Sequence, residues 1–198
     1  MDAPLTPVPA LVLCGGRGTR LGGSTEKPLV TVCDEPMVDR VVRALEGSRV
    51  STTHAVTSPH TPETRARAAD VLGVDTIDAP GQGYVEDLRY ALDHVAEPVL
   101  TVVADLPHLA PEHVERALAD ACAGGTPTSL TVCVPVDLKH RLGVSVDTAF
   151  DHEGRELAPT GLNVVAGGTE TVSVVDDERL AVNVNHPRDR EVAEERCD

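Results

Sequence analysis

Aromatic residues are nearly missing from this chain: two tyrosines (Tyr84, Tyr90), one phenylalanine (Phe150) and no tryptophan among 198 residues. With so few rings there are few platforms on which bases could stack. Lysine is equally scarce, since Lys27 and Lys139 are the only two and the rest of the 17 cations are arginines. Set against 32 acidic residues, this leaves a formal net charge of −15. Such a field repels a polyphosphate backbone, and no basic cluster offsets it, so nucleic acid is excluded as a partner. No apolar run reaches the length of a membrane span, and no signal peptide precedes the first strand. The five cysteines (Cys14, Cys33, Cys122, Cys133, Cys197) include no Cys-x-x-Cys pair. That pattern predicts a reduced, cytoplasmic protein without structural disulfides or zinc. His108 and His113, the closest histidine pair, are separated by a proline at a spacing unsuited to two ligands on one helical face, which predicts both to be solvated. No nucleophile–base pair is visible.

What is present is enough apolar chain for one α/β domain over 1–198. Its core must come from Val, Leu and Ala, which suits a mostly parallel sheet covered by helices on both faces. Val8–Leu13 reads as a buried strand and Val38–Leu45 as a helix with apolar residues at helical spacing. A strand at His54–Val56 precedes a helix opened by Pro62, with Thr61 as its cap, running to about Leu72. Strand Val74–Ile77, helix Tyr84–Val95, strand Val99–Val103, helix Pro111–Ala123 and strand Ser129–Val134 continue the alternation. Beyond Pro135 the pattern is less regular: Val144–Val146, Gly161–Val165 and Leu180–Val184 are short strand candidates, and Pro187–Glu195 a last helix with Asn185 or His186 near its cap. Alternating strands and helices predict a Rossmann-like three-layer α/β/α fold with a mostly parallel, doubly wound sheet and its site at the strands' C-terminal edge. Residues of about 8–135 form the nucleotide half, and about 136–198 shape the pocket of a second substrate.

The segment joining the first strand to the first helix carries the chemistry: Leu11-Val-Leu-Cys-Gly-Gly-Arg-Gly-Thr-Arg-Leu-Gly-Gly-Ser-Thr-Glu-Lys-Pro-Leu29. Gly15, Gly16 and Gly18 lack Cβ atoms, so the chain can turn tightly and aim several N–H groups at one anion, while Arg20 and Lys27 neutralise the charge gathered there. The loop is neither Gly-x4-Gly-Lys-Ser/Thr nor a full Gly-x-Gly-x-x-Gly, which excludes a P-loop and a dinucleotide site. Asp105 ends the strongest strand, where a carboxylate is well placed to hold Mg²⁺ together with substrate phosphate oxygens.

From Gly15 to Pro28 the segment resembles the N-terminal motif of the MobA-like nucleotidyltransferases, which make nucleoside diphosphate derivatives from an NTP and a phosphorylated acceptor. The resemblance implies that Gly15, Gly16, Arg17, Gly18 and Thr19 bind the nucleotide, that Arg20 and Lys27 contact its phosphates and the departing pyrophosphate, and that Asp105 holds the metal. Over nearly its whole length the chain further resembles the archaeal GTP:adenosylcobinamide-phosphate guanylyltransferases. The supporting segments are Ala55–Thr64, Gly81–Leu88, Ala158–Val165 and Asn183–Asp189. That resemblance implies GTP and a corrinoid phosphate as substrates. Thr57, Ser58, Gly81, Gly83 and Tyr84 would then lie at the nucleoside, and Thr160, Gly161 and Asn163 at the acceptor. It also fits the acidic, lysine-poor composition of a halophilic archaeal protein. A homodimer is left open. The rival readings are a molybdenum-cofactor guanylyltransferase, a sugar-1-phosphate nucleotidyltransferase and a catalytically silent nucleotide-binding regulator.

Overall fold

A computed structural model of the chain describes residues 8–16 and 18–197. Strand β1 (Val8–Leu13) is followed by short 3-10 turns at Thr19–Leu21 and Lys27–Leu29 and by a two-stranded hairpin, β2 (Thr31–Val32) and β3 (Glu35–Pro36). The chain continues through α1 (Met37–Glu46), β4 (Val50–Thr57), α2 (Pro62–Arg67, prolonged as a π turn over Ala68–Leu72), β5 (Asp75–Asp78) and α3 (Tyr84–Leu92). Next come β6 (Val99–Val103), α4 (Pro111–Ala121), β7 (Leu130–Pro135) and α5 (Val136–Leu142). The last part holds β8 (Phe150–His152), β9 (Arg155–Val165), β10 (Thr171–Val174), α6 (Glu178–Ala181) and α7 (Pro187–Glu194).

The main sheet runs in the order β10-β7-β9-β6-β1-β4-β5, with β8 on the side of β9. β1 pairs in parallel with both β4 and β6, and β10 with β7, whereas β9 lies antiparallel between β6 and β7. The mostly parallel α/β sheet read from the sequence is therefore present. β1 is central because its side chains are apolar on both faces: Ala10 and Val12 pack toward one layer and Leu11 toward the other, all fully buried.

Alternation along the strands decides which parts of the sheet are covered. Leu100, Val102, Leu130, Val132, Leu162 and Val164 join the buried faces of α1, α4 and α5 in the largest core cluster. On the opposite face α3 closes a smaller core over Leu11, Val56 and Ile77. The same face of β6, β7, β9 and β10 continues past α3 as the floor of an open cavity, formed by Val103, Thr131, Pro159, Asn163 and Val172. A third cluster packs α7 against the hairpin through Val32, Met37, Val184 and Val192.

Several expectations are overturned. Val144–Val146 forms no strand, and the Leu180–Val184 candidate is instead helix α6 followed by extended coil. β9 is eleven residues long, more than twice the predicted strand, because β7 pairs along it from Leu157 to Val164 while its other edge takes β6 over Leu162–Val165 and β8 over Arg155–Leu157. His108 and His113 are buried, not solvated. His113 Nδ1 accepts from the Ala110 amide at 3.0 Å, which leaves Nε2–H to donate to Asp177 at 3.0 Å. Burial keeps this imidazole's pKa below its ordinary value, against the raising effect of Asp177. Thr61 binds Ser58, and it is the Glu26 carboxylate that caps α2, accepting from the Glu63 amide at 2.8 Å and the Thr64 amide at 2.7 Å.

The expectation of no structural disulfide also fails: Cys33 and Cys197 are bonded. They lie 164 positions apart and meet only because α7 packs on the hairpin, a tertiary event with no local spacing signature. Cys33 and Asp34 both have positive φ, as a two-residue hairpin turn requires, and the Cys33 amide donates to Glu194 at 3.0 Å. Cys14, Cys122 and Cys133 are free thiols. Denatured protein kept unreduced should therefore titrate three thiols with a disulfide-exchange reagent. Cys33→Ser should lower unfolding free energy by about 2–4 kcal/mol in urea melts.

Candidate active site

Two cavities open along the C-terminal edge of the parallel strands. The smaller, of about 390 Å³, lies between the glycine loop and the start of α3, with Gly15, Gly16, Lys27, Gly83 and Asp87 on its walls. The larger, of about 840 Å³, spreads over the open part of the sheet toward Phe150. Tyr84, Val103 and Asp105 line both, so the compartments adjoin and Asp105 stands on their common wall.

The glycine loop leaves β1 after the Cys14 amide has donated to Val56 at 2.8 Å. A Cβ on Gly15 would stand 3.2 Å from Asp87 Oδ2. At Gly18, with φ of +66°, a Cβ would lie 3.0–3.2 Å from the Cα, Cβ and amide nitrogen of Lys27. The absence of side chains thus lets the loop lie directly against the lysine segment. Among the described residues no acceptor pairs with the amides of Gly15, Gly16 or Gly18, so three donors stay available to an anion. Arg17, expected in the same cradle, lies outside the described residues.

Lys27 begins a 3-10 turn whose second residue is Pro28, and its neighbour Glu26 is anchored on α2. Its side chain crosses the loop to a half-buried position between Asp105 and Asn185, donating to a carboxylate oxygen of the first and to Oδ1 of the second at 2.5 Å. Asn185 therefore faces the site, and the helix-cap role belongs to His186. The other Asp105 oxygen accepts from Asn183 Nδ2 at 3.1 Å, and the same amide group donates to the Thr160 carbonyl at 2.9 Å. Burial, with the nearby Asp105 charge adding to it, raises the Tyr84 phenol above its ordinary pKa.

The remaining expected residues are placed as follows. Thr19 and Arg20 sit on an exposed turn at the mouth; Arg20 is paired with Asp147 at 3.2 Å and lines neither cavity. Thr57 and Ser58 are buried behind the glycine loop, Thr57 bonded to Asp78 and Ser58 only 3.8 Å from a Cβ built on Gly15, and neither reaches a cavity. Gly81 and Gly83 take φ of +74° and +116°, and Asp87 fixes their loop by accepting from the Gly81 and Gln82 amides at 2.8 and 3.2 Å. Thr160, Gly161 and Asn163 line the larger cavity at a bulge of β9, where the Thr160 hydroxyl donates to the Val132 carbonyl at 2.9 Å. Sequence reasoning missed Asp87, Asn183 and Lys139 as site residues. The first two stand inside segments that carried the family resemblance, whereas Lys139 had no motif around it.

A model of the MobA-like NTP transferase domain matches residues 10–159. The chain is 32% identical over 196 residues to the adenosylcobinamide-phosphate guanylyltransferase of Methanocaldococcus jannaschii, covering 93% of this chain and 95% of that protein. Among solved structures, a Bacillus anthracis protein described as a glucose-1-phosphate thymidylyltransferase superposes with a TM-score of 0.63 at 16% identity, over 94% of this chain and 95% of that one. A CMP:2-keto-3-deoxy-manno-octonic acid synthetase holding CTP gives 0.58 at 19% identity, over 80% of this chain and 73% of its own. These two likenesses establish the nucleotide-diphospho-sugar transferase fold.

The β9 bulge depends on one residue. Gly161 has φ of +84°, and a Cβ there would stand 2.4 Å from Val103 Cγ2. Gly161→Ala combines a left-handed conformation with overpacking and should cost about 2–4 kcal/mol of stability, read from the urea midpoint.

Proposed function

This chain belongs to the family of MobA-like NTP transferase domains, and from that premise we propose that it transfers GMP from GTP to adenosylcobinamide phosphate. The products are adenosylcobinamide-GDP and pyrophosphate. The observation that carries the reading is the pair of cavities meeting at Asp105: a glycine-loop compartment sized for a nucleotide, beside a wide compartment for a bulky acceptor. The relative in Methanocaldococcus jannaschii, matched over nearly both whole chains, supplies the acceptor's identity.

In the reaction an acceptor phosphate oxygen attacks the α-phosphorus of GTP. The new oxygen–phosphorus bond forms as the bond to the bridging α,β-oxygen breaks, and pyrophosphate leaves with that electron pair. A phosphate monoester has a second pKa of about 6, so the attacking oxygen is already anionic at neutral pH and no general base is needed. The site supplies alignment and charge. The loop amides of Gly15, Gly16 and Gly18 and the ammonium of Lys27 hold the negative charge that grows on the departing phosphates. Arg20, on the exposed turn after the glycine loop, would reach the outer phosphates by giving up its pairing with Asp147. Thr57 and Ser58 act by backing the glycine loop, while Tyr84 closes the wall between nucleotide and acceptor.

Asp105 and Asn185 direct hard oxygen donors at a single cationic centre, the Lys27 ammonium. Such a donor set fits Mg²⁺, which takes one or two protein oxygens and completes its shell with phosphate and water. When bound there, the ion adds neutralising charge at the phosphates. The acidic, lysine-poor surface further suits a cytoplasm of high salt.

The test is pyrophosphate release with GTP and adenosylcobinamide phosphate at low and molar salt, with ATP, CTP and UTP as controls. Release that requires both GTP and the corrinoid is expected; release with another acceptor alone would reassign the reaction. Lys27→Ala should reduce turnover about 10²-fold or more. Asp105→Asn should abolish Mg²⁺-dependent turnover and, because it removes the carboxylate that pairs with half-buried Lys27, lower the melting temperature while the protein still unfolds cooperatively.

A further inference from the structure

Among the described residues, buried Lys139 forms no ion pair with a carboxylate. It lies on α5, which starts directly where β7 ends, and only 4% of it is exposed. Its Nζ donates to the Ala181 carbonyl at 2.6 Å and to Asn183 Oδ1 at 3.4 Å, both neutral acceptors. Three carboxylates are near enough to act on it electrostatically, and each is engaged elsewhere. Asp105 is bonded to Lys27 and Asp147 to Arg20, while Asp189 accepts from the Asn185 and His186 amides and from Ser145. Burial lowers the lysine's pKa, as expected for a cation whose lost hydration no paired anion replaces.

Its place suggests what is missing. Lys139 lines the 840 Å³ cavity and is the one lysine or arginine to do so among the described residues. An ammonium has three donors, and two are in use. Asn183 fixes its position relative to the reaction centre, because the amide oxygen receives Lys139 while the amide nitrogen holds Asp105 at 3.1 Å. An anion taken by the third donor therefore lies beside Asp105, where the two cavities adjoin. Buried charges are normally paired, so an ammonium on a cavity wall with neutral acceptors and one donor to spare is suited to hold an anionic ligand.

We propose that Lys139 is the residue that takes the acceptor's phosphate monoester, holding it beside Asp105 for attack on the nucleotide. The inference rests on the guanylyl-transfer reading for the identity of the acceptor, and on the cavity alone for the anion site. Lys27 serves the leaving side and Lys139 the attacking side, with Asp105 and Asn183 between them. The alternative is a purely structural lysine that braces the end of α6 through the Ala181 carbonyl.

Lys139→Gln separates the two, since the amide can still donate to Ala181 but carries no charge. We expect the KM for adenosylcobinamide phosphate to rise about 10- to 100-fold, the loss typical of a charged hydrogen bond, while the KM for GTP stays within twofold. Unchanged constants, or an equal loss in both, would overturn the proposal. A second measurement uses the unsubstituted protein. With ¹³Cε-labelled lysine it shows two side-chain signals, one for Lys27 and one for Lys139, assigned through Lys27→Arg. Inorganic phosphate, titrated with the nucleotide site filled by a non-hydrolysable GTP analogue, should shift the Lys139 signal saturably, and an unmoved signal would overturn the anion site. If phosphate moves Lys139 while the corrinoid supports no pyrophosphate release, the anion site stands and only the acceptor's identity falls.

Discussion

The contact of Lys27 with Asp105 and Asn185 organises this molecule. It joins the loop after the first strand, the end of the central β6 strand and the segment before the last helix, across 78 and 158 positions of sequence. Each participant is prepared by its own anchors. Glu26 fixes the lysine turn to α2, the Asp105 carbonyl accepts from the Val184 amide at 2.9 Å, and fully buried Asp189 gathers the Asn185 and His186 amides. A polar cluster of this kind, half shielded from water, is strong while complete and costly when broken, so the fold and the site share one set of interactions.

The sheet itself explains the shape of the site. Helices cover one face throughout, whereas the other is capped only over β1, β4 and β5. Beyond α3 the strands present Val103, Pro159, Val172 and the bulge at Gly161 to an open hollow. A chain poor in aromatic residues can thus offer a broad, gently apolar floor to a large ligand while its polar chemistry stays along one rim.

What could be read from the sequence was local. Val8–Leu13, the glycines behind it, Lys27-Pro28 and Asp105 at the end of an apolar strand carry their meaning in short windows, where periodicity and turn chemistry apply. The features that escaped are the ones that long-range packing creates. Nothing near Lys139 announces a site, since its role comes from Asn183 and the cavity on the far side of β9. The burial of His113 follows from Asp177, which is 64 residues away. The resemblance places Thr57 and Ser58 at the nucleoside, and in the structure Thr57 bonds Asp78 while Ser58 lies behind Gly15. Arg20 has the spacing of a phosphate contact, and here it rests on Asp147 at the rim.

The link between Cys33 and Cys197 has a topological consequence. It ties the hairpin after the glycine loop to the segment beyond α7, so the chain from Cys33 to Cys197 forms one covalent ring that leaves β1, the glycine-loop segment and β2 outside it. A single peptide-bond cut anywhere between these two cysteines opens the ring without releasing a fragment. Both strands that flank the site, and every residue of its wall from Tyr84 to Asn185, would remain parts of one molecule after such a nick.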